Sequence, residues 1–115
     1  MQIEERRVSP VVILGAKGKL TLGDGDVLLK DKIHSLVQQG HKQVALNVGH
    51  VPYVDSAGIG EIVGSYTTLG RVGGTLRLLN LTTRIHDLLA ITKLLTVFET
   101  FTGEDEAVRS FPANA

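Results

Sequence analysis

The apolar residues of this chain change period along its length, and the order of those changes restricts its fold more than any other feature. Over residues 26–39, Leu29, Ile33, Leu36 and Val37 fall at i, i+4, i+7 and i+8, the stripe of a one-sided helix. Val44, Leu46 and Val48 then alternate with Ala45 and Asn47, the period of a strand. The helical period returns at Asp55-Ser56, with Ile59, Ile62, Val63, Tyr66 and Leu69 on one side and Gly70 near the end. Gly73-Gly74 turns the chain into a second strand, Thr75–Leu79. A short third helix follows, capped by Thr82 or Thr83, with Ile85, Leu88 and Leu89 inward. Helices lying between strands need crossover connections, so the sheet is at least partly parallel.

The two ends complete the pattern. Gln2–Val8 and the run Val11-Val12-Ile13-Leu14 flank Ser9-Pro10, which suits two strands joined in a hairpin at a sheet edge. Gly15, Gly18, Gly23 and Gly25 interrupt residues 16–26, read as a strand end followed by an exposed loop. Asp24 or Asp26 is placed to cap the first helix, and Gly40 to end it. Residues 96–101 read as the last strand. Thr102 and Asp105 have capping-box spacing ahead of a final helix anchored by Val108 and Phe111. The expected fold is α/β: a mixed, mostly parallel sheet with an N-terminal β-hairpin edge and about four helices. At 115 residues, without repeats or linker, residues 1–115 are expected to form one domain.

Composition narrows the function classes. Twelve Lys and Arg balance twelve Asp and Glu, which argues against nucleic acid as a direct partner. There is no cysteine, hence no disulfide, thiolate nucleophile or thiolate-bound zinc, in keeping with a reducing cytosol. No run of about 18 apolar residues and no signal-peptide pattern occurs, so a cytoplasmic protein without membrane attachment is expected. His34, His41, His50 and His86 are scattered, without metal-ligand spacing. Gly15-Ala16-Lys17-Gly18-Lys19 lacks the spacing of a P-loop and the Ser/Thr after its Lys. Gly58, Gly60 and Gly64 imitate a dinucleotide fingerprint, but the third glycine is one residue late. No acidic residue lies in Leu78-Leu79-Asn80 to meet a ribose, so these glycines are read as letting the helix pack closely on the sheet. Ser56 and His50 do not make a hydrolase, because the glycine of a nucleophile elbow is missing and nothing marks a substrate pocket. No enzyme activity, cofactor or metal is expected.

Ser56 remains. The plain structural reading makes it a helix N-cap, worth about 1 kcal/mol. Its neighbours Ala57, Gly58 and Gly60 are small and leave the hydroxyl uncovered, which a cap does not require. A phosphate there would meet the positive end of a helix and free backbone N–H groups. Gly58 is read as keeping space for an approaching partner, so Gly58→Leu should lose binding and keep its fold.

With these residues in view, the chain resembles a STAS domain, specifically the bacterial anti-sigma factor antagonists. The resemblance rests on residues 11–20 ending in Gly18-Lys19-Leu20, on residues 44–48, and on the signature Val54-Asp55-Ser56-Ala57-Gly58-Ile59-Gly60. It continues through Gly73-Gly74 and Thr92-Lys93-Leu94-Leu95-Thr96-Val97-Phe98. The resemblance implies that Ser56 is phosphorylated by a serine-kinase anti-sigma factor of histidine-kinase-like ATPase fold, with a serine phosphatase as counterpart. It implies partner contacts around Tyr53, Asp55, Ser56, Ala57, Gly58, Ile59, Gly60, Thr21 and Asp24. Two departures stand out: Ala57 where a second Ser is common, and Thr21 where many members carry Asp. A monomer or weak dimer is expected, since no heptad, cysteine or long edge strand points to an obligate oligomer. The alternatives are a scaffold subunit of a larger signalling complex and a module that senses a nucleotide or lipid.

Overall fold

The computed structural model describes residues 1–112. Strands β1 (Gln2–Val8) and β2 (Val11–Lys17) pair antiparallel across Ser9-Pro10, from Gln2 opposite Lys17 to Val8 opposite Val11. After α1 (Gly25–Gln38), β3 (Gln43–His50) joins β2 in parallel. After α2 (Ser56–Arg71), β4 (Thr75–Leu79) joins β3 in parallel. Helix α3 (Thr83–Ile91) leads to a short 3₁₀ turn, Leu95–Val97, then to β5 (Thr100–Phe101) and α4 (Glu104–Ser110). The sheet order is β1-β2-β3-β4-β5, with the hairpin at one edge as the sequence pattern predicts.

Strand alternation sorts the core into two layers. Val12, Leu14, Val44, Leu46, Val48, Leu76 and Leu78 face α1, α2 and α3, which contribute Leu29, Ile33, Leu36, Ile62, Leu69, Ile85 and Leu89. On the other face Val11, Ile13, Ala45 and Leu79 pack against Ala107 and Phe111 around α4. Arg77 fastens that helix: its guanidinium donates to Ser110 Oγ at 2.6 Å and to the Ser110 carbonyl at 3.0 Å, and it lies 4.7 Å from the Phe111 ring centroid. Ala45 is as buried as Val44 and Leu46, so β3 is a central strand covered on both faces at these positions.

Several local expectations are corrected. The segment 96–101 is mostly not strand: only Leu78–Thr100 and Leu79–Phe101 pair, while Phe98 turns into the core and meets the Tyr66 ring edge-to-face at 5.3 Å. The last helix is capped by Gly103 without a side-chain bond, and Thr102–Asp105 form no capping box. Glu104, Asp105 and Glu106 in its first turn complement the helix dipole instead. Asp24 occupies the N-cap of α1 but makes no capping bond, while Asp26 Oδ1 accepts from the N–H groups of Asp24 and Val27. Residues 16–26 are not simply an exposed loop, because Leu20 and Gly25 are buried. Among the described residues no helix is long and apolar enough to cross a membrane.

Candidate functional site

Where β2 and β3 end, their two exits stay fastened together. The Gly18 N–H donates to the His50 carbonyl at 3.1 Å and the Leu20 N–H to the Tyr53 carbonyl at 3.0 Å. Leu20 and Val54, both buried, form an isolated parallel bridge. Beyond them Asp55 is extended (φ −104°, ψ −175°) and caps α2. Its Oδ1 accepts from the Gly58 N–H at 2.9 Å, and its Oδ2 accepts from the Leu22 N–H at 3.0 Å. One carboxylate therefore closes a helix end and ties the neighbouring loop to it. The Leu22 N–H, then the Gly58 N–H, hold this carboxyl below the usual carboxylate range, which keeps it an anion at neutral pH.

Ser56 is the first residue of α2, exposed, and its hydroxyl makes no hydrogen bond to any other described residue. The capping reading of Ser56 is thus corrected: Asp55 does that job, and the serine hydroxyl is left unengaged. Both Asp55 oxygens accept backbone N–H groups, and neither accepts a hydrogen bond from the serine hydroxyl.

Of the other candidates, Tyr53, Gly60 and Asp24 are exposed, and Thr21, Asp55 and Ala57 are half-buried. Thr21 turns the loop with its carbonyl, which accepts from Asp24 at 3.3 Å and Asp26 at 3.2 Å. Gly58 and Ile59 are buried, Ile59 at the border of the groove between α2 and α3 and Gly58 against the two fastened loops. A Cβ at Gly58 would lie 2.1 Å from the Leu20 carbonyl oxygen and 2.7 Å from Val54 Cγ2, so this glycine faces the fastened loops and not a partner. The close-packing reading of the three glycines survives only there, and against loops in place of strands. A Cβ at Gly60 would meet nothing within 4 Å, and one at Gly64 only the Glu61 side chain, no closer than 3.4 Å.

Two features escape sequence reasoning. Leu22 is 76% exposed beside this junction, displayed by the bond from its own N–H to Asp55. Between α2 and α3 runs a groove of about 590 Å³, bordered by Tyr53, Ser56, Ile59, Val63, Arg84, Leu88 and Leu94. Arg84 places its guanidinium carbon 4.4 Å from the centroid of the Tyr53 ring, a cation–π contact. No local pattern marks Arg84, since its partner is 31 positions away in the chain. Among the described residues no three His, Cys, Asp or Glu side chains converge as a metal site.

Comparison with known proteins places these features in a family. A model of the STAS domain matches residues 2–107. The anti-sigma F factor antagonist of Paenibacillus polymyxa is 22% identical over 108 residues, 94% of this chain and 92% of that protein. The anti-sigma-B factor antagonist of Bacillus subtilis (strain 168) is 33% identical over 72 residues, 63% of this chain and 65% of that protein. Among solved structures, the Bacillus cell fate determinant SpoIIAA in its phosphorylated form superposes with a TM-score of 0.76 at 22% identity, covering 94% of this chain and 97% of that one.

Proposed function

The chain belongs to the STAS domain family, and from that premise we propose that it is an anti-sigma factor antagonist working as a cytoplasmic partner switch. Unmodified, it binds a serine-kinase anti-sigma factor through the surface around Ser56, with Tyr53, Asp55, Ala57, Gly60, Thr21 and Asp24 contributing. Phosphorylated on Ser56, it lets that partner go, and a serine phosphatase resets it. The names of the two relatives support the role, and the observation that carries the site is the exposed hydroxyl of Ser56, relieved of capping by Asp55.

The physics of release is direct. A phosphoserine adds about −1.5 to −2 charge at neutral pH. Inside a contact, that charge must lose its water or face the fixed carboxylate of Asp55. A penalty of about 3 kcal/mol weakens binding more than a hundredfold. The domain itself has little reason to unfold, because the charge sits at the favourable end of α2.

The test is incubation with the cognate kinase and ATP, followed by peptide mass spectrometry and binding measurements. Ser56 should carry the phosphate. Ser56→Ala should resist it and stay bound, and Ser56→Asp should bind poorly. Phosphate on Thr21 or Thr67 with Ser56 unmodified would remove the assignment.

A further inference from the structure

The groove between α2 and α3, at about 590 Å³, lies within the range of about 300–1,000 Å³ typical of small-ligand sites. Ile59, Val63, Leu88 and Leu94 make much of its lining aliphatic. At its edge Arg84 lies over the Tyr53 ring, and among the described residues no carboxylate comes within 4.0 Å of its guanidinium. Asp55 also borders the groove as an anion, each of its oxygens accepting a backbone N–H and neither lying within 4.0 Å of the Arg84 guanidinium. An aliphatic cleft with a guanidinium at its edge that makes no ion pair among the described residues complements an aliphatic chain that ends in one anionic group. It suits a nucleotide poorly. Among the described residues of the lining, the one aromatic ring, Tyr53, is already covered on one face by Arg84, and a single cation would face several phosphate charges.

We propose that this groove binds a small amphipathic monoanion of the medium-chain alkanoate class, with its tail between α2 and α3 and its carboxylate on Arg84. Ser56 borders the same groove, so an occupied groove also crowds the serine. The binding itself does not depend on Ser56 being a phosphorylation site.

The experiment is an amide NMR titration of the full chain with decanoate below its micellar concentration, alongside octanoate, decyltrimethylammonium and AMP. Saturable shifts with decanoate should map to α2 and α3. Affinity should rise about fourfold for each buried CH₂, or about sixteenfold from octanoate to decanoate. The cationic analogue should bind at least tenfold more weakly, and Arg84→Ala should abolish that preference. Gly60→Leu should block the tail, because position 60 borders the groove and opens onto free space. Absence of saturable shifts at millimolar decanoate, shifts mapping elsewhere, equal binding of the cation, or tighter binding of AMP would each overturn the proposal.

Discussion

Helices α2 and α3 both start where a parallel strand runs out, at the same end of the sheet, yet they satisfy their first N–H groups in different ways. At α3, Thr82 caps with its own hydroxyl, accepting from the Ile85 N–H at 3.2 Å, and that hydroxyl is thereby used. At α2 the cap is Asp55, and the hydroxyl of Ser56 comes one residue too late to be needed. Moving the cap to a carboxylate has a second effect, since the spare oxygen reaches the Leu22 N–H on the neighbouring loop. The α3 junction is only a helix start. The α2 junction is a helix start, a clamp between two loops and a displayed hydroxyl.

The sharpest way to break this comparison is at Gly58. Its missing side chain is what lets the Leu20–Val54 bridge lie against α2. An added methyl must displace the Leu20 carbonyl, and overpacking of this kind costs about 1–3 kcal/mol. Gly58→Ala should lose about that much in urea denaturation. Gly60→Ala, in open space on the same helix, should gain up to about 1 kcal/mol from helix propensity. Equal stability of the two variants would mean that the fastened loops are not held against α2.

How much of this was legible in the sequence follows from the range of each interaction. Helix and strand periods are local, so α1, α2, β4 and α3 could be read from Leu29, Ile33, Ile62, Leu76 and Ile85 and their neighbours. The Asp55–Ser56 pair was legible as a helix start, but which of the two would cap it was not. That depends on where the Leu22 N–H lies, 33 residues back along the chain. Gly58 was misread for the same reason, because the wall it faces is the Leu20 backbone. The last strand failed differently: Phe98 has a strand-like sequence context, but its ring is drawn into the core beside Tyr66, leaving only Thr100 and Phe101 to pair with β4.

A second comparison sets Asp55→Ala against Thr82→Ala. Thr82→Ala removes one cap and should cost about 1 kcal/mol. Asp55→Ala removes partners from two N–H groups on two segments, and should cost more while freeing the Leu22 loop to exchange its amide hydrogens faster. The two junctions should also differ in acid. The Asp55 carboxyl is held low by the Leu22 and Gly58 N–H groups in the folded protein, so its contribution is full above the ordinary aspartate value, about 3.9. That contribution falls away as the pH drops below this value and through the lower folded one. Asp55→Asn should therefore narrow its stability gap from the parent as the solution is acidified below about pH 4, whereas the gap for Thr82→Ala should not depend on this carboxyl. A pH-independent gap for Asp55→Asn would mean that the carboxylate is not the clamp.

The smallest expected effect is the most informative about function. Ser56 is exposed and its hydroxyl has no partner among the described residues, so removing it deletes no bond from the folded state. Surface changes of that kind stay within about 0.5 kcal/mol, and alanine is slightly the better helix former. Ser56→Ala should be neutral or marginally stabilising in urea, while Thr82→Ala, the equivalent loss at the α3 junction, shifts the midpoint measurably. Ser56→Asp should also remain folded, because a carboxylate in the first turn gains from the helix dipole what it loses to its neighbour Asp55. If Ser56→Ala instead destabilised the protein as much as Thr82→Ala, the serine hydroxyl would be part of the cap. The structural feature that makes it available for modification would then be gone.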